Sequence, residues 1–579
     1  MRGTIRRAPA SLGPLTTPMT GHFRPPAFRG LYRDDAAARA VYSEAAGIAQ
    51  VMPRGVAVPA DADDVVALVR WASDTATPLV PRGSGSSMAG GAIGDGVIVD
   101  LSRLRTLDAV DVRRRTVRCG PGVLRNEVDA RARAVGLQFP VDPSSGAYCT
   151  VGGMASTNAA GAHTLRHGAT RPWVEALDLV FADGSRAEIR RRGTVPAVDA
   201  IHRLLDEMPA LIEAERASPS RHEGVRKESS GYGLHAYVES GELIDLLVGS
   251  EGTLAVIVGL ELRLAPLPLC TASVLGAFAT LDEAVVAAVG AREAGAGACE
   301  LLDRTFLDVA RRGGARVPVP EATEAVLLAD VDGEAAERCT SAARSVERCF
   351  RAAGATTVDV ALDAETGHAM WELRHAASPI LSRLDPSLKS MQFIEDGCVP
   401  PDRLAEYVLG VRAALDRQGI RGVIFGHAGD AHMHVNPMVD VSDPAWRERV
   451  DALLEDVTAL AARLGGTLAG EHGDGRLRAP LLSRVWSRSS LERFATVKRA
   501  FDPAGILNPG AKLAVAGAVA VAVAAVKYDP ALAELPAAAR AALAHVERDR
   551  AYARLRLDLL DEAEERAGAR PLDAPGSDV

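Results

Sequence analysis

Apolar positions recur at helical spacing near the start of the chain. Val65, Leu68 and Val69 follow Asp61, a residue type that commonly caps helix N-termini, and together they predict a helix. The sequence before this helix is rich in Arg and Pro and lacks the apolar core of a secretion signal. We therefore expect ordered structure to begin near Val51, after a partly disordered N-terminal extension at residues 1–50.

Short apolar runs alternate with further helices beyond this point. Residues 78–80 and 97–99 predict two strands that flank a Gly/Ser-rich loop at residues 82–94. The alternation ends near Pro266, where closely spaced prolines interrupt the pattern. We therefore assign a first domain to residues 51–265.

A second pattern, with longer helices between the strands, follows this boundary. It predicts an α+β domain with an antiparallel sheet over residues 266–512, and then an Ala-rich helical tail over residues 513–579. The apolar stretch 513–526 is too short to cross a bilayer, so we expect it to dock on the protein's own surface. A helix or helical pair should follow at residues 530–570. The predicted helices of the second domain are 282–294, 402–417 and 444–464, and its predicted strands are 325–331, 391–397 and 421–426.

Composition and charge narrow the function classes. A chain of 579 residues is too long for one hydrophobic core and fits three or four units of roughly 150 residues. Its net charge of -9 argues against nucleic-acid binding, which needs a basic surface. Seven cysteines without a C-x-x-C pair argue against iron–sulfur clusters and zinc ribbons. No apolar run reaches about 18 residues, so we expect a cytoplasmic protein without a membrane-spanning helix. Peripheral contact with a membrane is compatible with this expectation.

Three glycine-rich segments suggest a bound anion and a planar ligand. The loop 82–91 lies between two predicted strands, where its backbone N–H groups can converge on a pyrophosphate. Met88 stands where a G-x-G-x-x-G motif needs its third glycine, and the Gly-Lys pair of a P-loop does not occur. The segment 142–161 is also built from small residues, which let a backbone run flat against a planar ligand. A third segment, 249–254, follows an apolar run at 246–248 that predicts a strand.

In this order and spacing, the three segments resemble the FAD-linked oxidases with a PCMH-type (vanillyl-alcohol-oxidase-like) FAD-binding domain. The likeness runs from about Val51 to Lys512 and includes a closing motif at residues 502–512. It implies an α+β fold in which a two-subdomain PCMH-type FAD-binding domain joins an α+β cap domain with an antiparallel sheet. Some members attach flavin through a His in the first loop. Ser86 and Ser87 stand there instead, so we expect noncovalent FAD. The implied cofactor-binding residues are Arg82, Gly83, Ser84, Gly85, Ser86, Ser87, Pro143, Ser144, Gly152, Gly153, Ser156, Asn158, Gly161, Glu251, Gly252, Thr253 and Asn508.

A cluster of imidazoles follows a predicted buried strand in the second domain. In an extended segment alternate side chains share a face, so His432, His434 and Asn436 should point the same way. With His427 across a glycine turn they form a candidate metal cradle, and Glu471 supplies a carboxylate from a separate turn. Two imidazoles and one carboxylate leave coordination positions open for a substrate hydroxyl and carboxylate.

These motifs resemble the D-2-hydroxy-acid dehydrogenase branch of the family, whose substrates include D-lactate, glycolate and D-2-hydroxyglutarate. By that resemblance His427, His434 and Glu471 bind a divalent metal, which we expect to be zinc or manganese, and His472 is the general base. The metal would acidify the substrate hydroxyl so that a base of ordinary pKa can remove its proton, and the α-hydrogen would pass as hydride to flavin N5. The other implied catalytic residues, which hold the substrate, are Arg374, Lys389, Ser378 and Asn436.

Two departures from the branch leave the substrate open. Position 431 is usually Gly and position 432 a small polar residue. Ala431 and His432 stand there, and His432 is expected either to add a ligand or to reshape the pocket. No cysteine cluster follows Lys512, so electrons should leave through a separate quinone or electron-transfer protein. We also expect a homodimer. The alternatives are an oxidase of a sugar lactone or an aromatic alcohol, which would not need the metal set, and a non-catalytic flavin subunit of an electron-transfer complex.

Overall fold

Three large sheets organise the residues that this computed structural model describes, 28–376, 387–520 and 525–568. The first sheet has four strands, of which three are parallel and one edge strand is antiparallel. The prediction that order begins near Val51 is wrong, because residues 31–41 already form this edge strand and a helix that is capped by Asp35. The strands in sheet order are Leu31–Arg33, Gly55–Val58, Val97–Asp100 and Leu79–Arg82.

Side chains alternate across the first sheet and divide its surroundings into two cores. Val97 packs with Leu68 of the helix Ala62–Asp74 in a core that also includes Val256 of the second sheet. The helix therefore lies between the two sheets of the first domain. Ile98, one position further along the strand, packs in the opposite core, because successive side chains of a strand point to opposite faces.

The second sheet is antiparallel throughout, and helices cover it. The predicted strand at 246–248 is wrong: Leu243–Leu247 is a short helix whose buried leucines pack beneath this sheet. A continuous apolar run suits a buried helix as well as a buried strand. The strands in order are Thr116–Cys119, Val256–Arg263, Val174–Val180 and Arg186–Arg190, and the helices of the first domain are Ala36–Val41, Ala62–Asp74, Arg125–Arg133, Val151–Thr157, Thr164–His167, Asp199–Ala217, Leu234–Ser240 and Leu243–Leu247.

The third sheet forms the cap domain and is antiparallel in all its described pairings, as predicted. The predicted strand 391–397 is wrong, because only Leu388–Ser390 and Gly397–Cys398 pair with the sheet and the residues between them form a turn. The sheet order is Thr357–Ala361, Cys270–Phe278, Ala325–Gly333, Ala298–Asp303, Arg421–His427, His432–Asp440 and Leu388–Ser390. The cap helices are Leu281–Glu293, Arg304–Arg312, Ala336–Ala352, Ala364–Ala376, Leu404–Arg417 and Trp446–Arg463.

The chain then returns to the first domain. The helix Arg488–Phe501 buries Phe494 and Phe501 in the core of the second sheet, and shorter helices, Gly475–Arg478 and Leu482–Val485, precede it. The described residues include no helix that is long and apolar enough to cross a membrane.

The C-terminal tail folds onto the first sheet. Its helices Ala537–Asp549 and Arg556–Gly568 bury Val546 and Leu560 in the same core as Ile98. The predicted helical pair is therefore confirmed, and it covers a sheet face that would otherwise be exposed. The apolar stretch 513–526 behaves less uniformly. Val515 and Val519 are exposed, Val526 is buried beside Ala49, and residues 521–524 lie outside the described part of the chain.

Candidate active site

A cavity of about 750 Å³ lies where the first domain, the cap and the tail meet. This volume is in the range of small-molecule and cofactor sites. The first domain contributes the loop 82–88 and the segments 142–163 and 251–252, the cap contributes its imidazole cluster, and the tail contributes Tyr528 and Tyr552.

The first two glycine-rich segments, 82–91 and 142–161, pack so closely on their neighbours that larger residues would not fit at Gly83 or Gly152. A Cβ atom on Gly83 would lie 2.2 Å from the hydroxyl oxygen of Thr150, and one on Gly152 would lie 2.5 Å from Cβ of Pro121. Arg82 is buried over the ring of Tyr42, and its Nη2 has no hydrogen-bond partner among the described residues. Small residues beside a buried guanidinium with a free donor fit a phosphate-bearing cofactor.

Most of the predicted cofactor residues border the cavity, and three do not. Asn158 accepts a hydrogen bond from the backbone N–H of Arg171, and the Thr253 hydroxyl bonds to Tyr232. The Asn508 amide donates to the carbonyls of Gly91 and Glu251, so these three side chains brace the walls from behind. The residues on the cavity wall are Arg82, Gly83, Ser84, Gly85, Ser86, Ser87, Pro143, Ser144, Gly152, Gly153, Ser156, Gly161, Glu251 and Gly252.

Glu251 lines the cavity, but its carboxylate already accepts hydrogen bonds from residues of the second domain. It accepts hydrogen bonds from the backbone N–H groups of Asp474 (2.7 Å) and Gly475 (2.9 Å), and Lys512 Nζ lies 3.2 Å away. Glu251 therefore fixes the turn that carries Glu471 and His472 against the first domain.

The three predicted metal ligands converge. Nε2 of His427 and Nε2 of His434 each lie 3.3 Å from the same oxygen, Oε1 of Glu471. All three side chains are buried. Two ring nitrogens and a carboxylate oxygen at such separations can hold one divalent cation with little movement. The donor set therefore fits the expected metal.

Two hydrogen bonds orient the imidazoles for this role. Nδ1 of His434 donates to the backbone carbonyl of Glu395 (3.0 Å), and Nδ1 of His427 contacts the carboxylate of Glu300. Because carbonyl and carboxylate oxygens accept hydrogen bonds, Nδ1 carries the proton in both rings and Nε2 faces Glu471. Metal-binding histidines are typically supported in this way. Burial lowers the pKa of His427, but the charges of Glu300 and Glu471 and the hydrogen bond to Glu300 together raise it to about 9. Without a metal, Nε2 of His427 therefore also carries a proton at neutral pH, which metal binding would displace.

Lys227 holds the remaining oxygen of Glu471. Its buried Nζ lies 3.1 Å from Oε2 of Glu471 and donates to the carbonyl of Gly161 (2.9 Å). Burial opposes ionisation of Glu471, but Lys227 and His427 lower the pKa of this carboxyl well below its usual value. The arrangement leaves one oxygen of Glu471 directed at the imidazoles.

The predicted base, His472, lies beside this cradle. Its ring stacks on that of His434 with centroids 5.3 Å apart, and its Nε2 lies 3.7 Å from Oε1 of Glu471. We expected an ordinary pKa for the base. Burial lowers the pKa of His472, but the carboxylates of Asp396 and Glu395 outweigh burial and raise it to about 9.

The predicted substrate residues share the cavity, with one exception. Arg374, Lys389 and Asn436 line the cavity, and the guanidinium of Arg374 lies over the ring of Phe425, 4.8 Å from its centroid. Ser378 lies outside the described residues. His432 does not reach the cavity surface; it is fully buried behind His434, with Nε2 2.8 Å from the carboxylate of Asp396.

Sequence reasoning missed several residues that shape the site. Glu300 is a carboxylate flanked by apolar residues inside the buried strand Ala298–Asp303, a signal that could have identified it. Lys227 and the tail residues Tyr528 and Tyr552 come from segments without a distinguishing motif, so the sequence offers no comparable signal for them.

Two family matches cover this architecture. Residues 53–190 match the family described as FAD binding domain, and residues 267–511 match the family described as FAD linked oxidases, C-terminal domain. The second match contains His427, His434, Glu471 and His472. The tail from residue 512 onwards lies outside both matches.

Relatives of this chain are named as a glycolate oxidase subunit and as dehydrogenases of D-lactate or D-2-hydroxyglutarate. The chain is 30% identical to the glycolate oxidase subunit GlcD of Bacillus subtilis over 83% of its own length and 93% of the relative's. It is 29% identical to a D-lactate dehydrogenase of Archaeoglobus fulgidus, covering 79% of this chain and 90% of that one. A D-2-hydroxyglutarate dehydrogenase of Pantoea ananatis is 28% identical over 80% of this chain, which spans about half (48%) of that longer protein.

Solved structures share the fold. The 4-ethylphenol oxidase of Gulosibacter chungangensis superposes with a TM-score of 0.61 at 17% identity, over 83% of this chain and 94% of that one. An alkyldihydroxyacetonephosphate synthase superposes with a TM-score of 0.58 at 15% identity, over 83% of each chain. At these identities the likeness establishes the fold alone, and it confirms the predicted fold class.

Proposed function

Because this chain belongs to the family of FAD-linked oxidases, we propose that it oxidises a D-2-hydroxy acid to the 2-oxo acid with the help of a divalent metal. The observation that carries the proposal is that His427, His434 and Glu471 converge on one cavity with Arg374 and His472. A lactone or alcohol oxidase would have no need of two oriented imidazoles around a buried carboxylate. The names of the relatives, which include D-lactate and D-2-hydroxyglutarate dehydrogenases, support the same substrate class.

The cofactors would supply electron acceptance and acidification. The glycine loop and the segment 142–161 would hold FAD noncovalently, and the bound flavin would supply a hydride acceptor. His427, His434 and Glu471 would hold a zinc or manganese ion, which would supply acidification of the substrate hydroxyl.

The side chains of the cavity would position the substrate. In this proposal Arg374 pairs with the substrate carboxylate through its guanidinium, and Asn436, which also lines the cavity, orients the hydroxyl. Lys389 would bind a second carboxylate, which distinguishes a dicarboxylic substrate from lactate. Fixing the substrate in this way converts binding free energy into alignment of the α-hydrogen with the cofactor.

His472 would take the hydroxyl proton. It faces the cavity with about a quarter (26%) of its side chain exposed, and its Nε2 lies beside the metal-binding oxygen of Glu471. Glu395 and Asp396 stabilise the protonated ring, so without a metal His472 is an imidazolium at neutral pH. The charge of a bound divalent cation would favour the neutral ring, which is the form that can accept the hydroxyl proton. A separate quinone or electron-transfer protein would serve as the final electron acceptor.

Anaerobic flavin reduction tests the substrate class. Flavin-loaded protein is mixed with matched D and L enantiomers of lactate, 2-hydroxyglutarate and other 2-hydroxy acids, with glycolate as the achiral member, and bleaching is followed in the flavin absorption band. We expect bleaching by D enantiomers and not by their L counterparts. Bleaching by a sugar lactone or an aromatic alcohol, and by no hydroxy acid, would refute the proposal.

The variant Arg374→Lys keeps the charge but loses the forked geometry, and it should raise the KM for the acid more than it lowers kcat.

A further inference from the structure

We propose that His432 is a third imidazole ligand of the metal ion in this cavity. The inference rests on the proposed function for the presence of a metal, and it goes beyond the ligand set of His427, His434 and Glu471. Strand geometry makes the residue available, since His432 and His434 are two positions apart on the strand His432–Asp440 and share a face.

The first argument is proximity. A potential ligand atom on His432 lies within 4.8 Å of potential ligand atoms on His427, His434 and Glu471. The centroid of its ring is 5.3 Å from that of His427 and 4.7 Å from that of His434. The three imidazoles therefore surround one point next to the Glu471 carboxylate.

The second argument comes from assigning the ring proton. Nε2 of His432 lies 2.8 Å from Oδ1 of Asp396, and the two oxygens of Asp396 also accept the backbone N–H groups of Glu471 (3.1 Å) and His472 (3.0 Å). A carboxylate that accepts all these bonds is ionised, so Nε2 is the ring nitrogen that carries the proton. The lone pair then lies on Nδ1.

The third argument is that this lone pair is left without a partner. Nδ1 of His432 is buried and has no hydrogen-bond partner among the residues that the structure describes. Buried polar atoms are almost always satisfied. A metal ion coordinated by the neighbouring imidazoles would satisfy Nδ1, and an imidazole supported by a carboxylate is a common form of metal ligand.

The ring has little freedom to turn away. Gly470 packs flat against it, such that a Cβ there would lie 2.6 Å from Cδ2 of His432. The ring is thus fixed between Gly470, Asp396 and the other two imidazoles. A fixed ring favours binding, because no side-chain entropy remains to be lost on coordination.

X-ray absorption of the zinc-loaded, flavin-loaded protein tests the inference without any substitution, because the multiple scattering of coordinated imidazoles gives their number. We expect three imidazoles in the wild-type protein and two in His432→Asn, which keeps a polar side chain of the type usual at this position.

Competition with a chromophoric chelator should show a loss of zinc affinity of about 100-fold in His432→Asn, the upper end of the losses seen when support for a metal ligand is removed. The control His167→Asn removes an imidazole that contacts Trp173 edge to face outside the cavity, and it should retain wild-type affinity.

Two results would overturn the inference. Two imidazoles in the wild-type protein would show that Nδ1 of His432 binds something else, such as a buried water molecule. Unchanged zinc affinity in a folded His432→Asn variant would show the same. The proposed function fails separately: a wild-type protein that binds zinc through three imidazoles but is not reduced by any 2-hydroxy acid would keep this inference and refute that function. A wild-type protein that binds no divalent metal would refute both.

Discussion

Arg374 donates a hydrogen bond from Nε to the carboxylate of Glu300 over 2.7 Å, and both side chains are buried. The second oxygen of Glu300 contacts Nδ1 of His427. Burial opposes ionisation of Glu300, but the charges of His427 and Arg374 lower its pKa well below the usual value, so the carboxylate is ionised. One buried carboxylate thus orients a proposed substrate residue and a proposed metal ligand at the same time.

Replacing Glu300 with Gln should weaken both functions together. We expect a loss of zinc affinity of about 10–100-fold, the usual effect of removing a group that supports a metal ligand, and a higher KM for the substrate. Chelator competition and steady-state kinetics measure the two effects. The matched control is Asp303→Asn on the same strand, where the buried carboxylate binds Arg412 instead and metal affinity should not change. Unchanged zinc affinity in Glu300→Gln would contradict the assigned role.

Lys227 should be essential for stability. In Lys227→Met, Glu471 and Asp430 would lose the buried cation that lies 3.1 Å and 3.9 Å from their carboxylates. Removing one partner of a buried ion pair typically costs about 3–5 kcal/mol, which urea unfolding of the metal-free protein would measure. The control Lys527→Met removes a lysine that pairs with the half-exposed Glu547 in the tail, and it should destabilise the metal-free protein much less. A loss below about 1 kcal/mol in Lys227→Met would mean that the pair is not stabilising.

His472→Gln should give a folded, yellow protein that barely turns over. Loss of a general base typically lowers kcat by about 100- to 10,000-fold, and the flavin spectrum and zinc content should stay as in the wild type. Stopped-flow reduction of the flavin by the best D-hydroxy acid measures the effect. A near-normal rate of reduction would show that another group removes the proton.

His163 should stabilise the protein at neutral pH, and this stabilisation should be lost at alkaline pH. Its imidazole lies 2.6 Å from Asp142 of its own domain and 3.5 Å from Asp330 of the cap. Burial lowers its pKa, but these carboxylates outweigh burial and raise it well above the usual value. The stabilisation is therefore complete below pH of about 6.5 and is lost as pH rises through the raised pKa.

Melting temperatures between neutral and alkaline pH check this prediction. The Tm of the wild type should exceed that of His163→Gln most at neutral pH, and the difference should shrink as pH rises. A difference that stays constant, or grows, towards alkaline pH would show that His163 is not held as a cation.

The tail should act on FAD and on substrate through different residues. The ring of Tyr552 lies 5.4 Å from that of Tyr148, in the cofactor-binding segment, whereas Tyr528 lies under Nζ of Lys389 at 5.6 Å. Tyr552→Ala should raise the Kd for FAD by up to about tenfold, the value of one aromatic pair, with little change in the KM of the acid. Tyr528→Ala should instead raise the KM of the acid, with little change in the Kd for FAD. Fluorescence titration and steady-state kinetics separate the two, and identical effects of both substitutions would refute this division of roles.

Local sequence patterns predicted the fold and the convergence of the imidazoles that the proposed metal site uses. The imidazole face of the strand His432–Asp440 follows from the period of two in any strand, and the apolar neighbours Met433 and Val435 are fully buried as that period requires. The glycine segments also predicted the cavity wall, because close packing at Gly83 and Gly152 excludes any larger residue.

Long-range contacts were not predictable in the same way. Glu300 and His427 are 127 positions apart, and Lys227 and Glu471 are 244 positions apart, so no local pattern links them. The packing surface of the tail was not predictable for the same reason, since nothing in its Ala-rich composition indicates that it packs on the strand Val97–Asp100. The pKa of His472 depends on Glu395 and Asp396, which approach only in the folded protein.

The rate of flavin reduction in metal-stripped and metal-restored protein tests the central claim most directly. Flavin-loaded protein is treated with a chelator, mixed anaerobically with the preferred D-2-hydroxy acid, and measured again after addition of zinc or manganese. We predict that the metal-stripped protein keeps its flavin but loses reduction by the acid, and that added metal restores it. Reduction at the same rate in protein shown to be free of metal would contradict a metal-assisted mechanism at His427, His434 and Glu471.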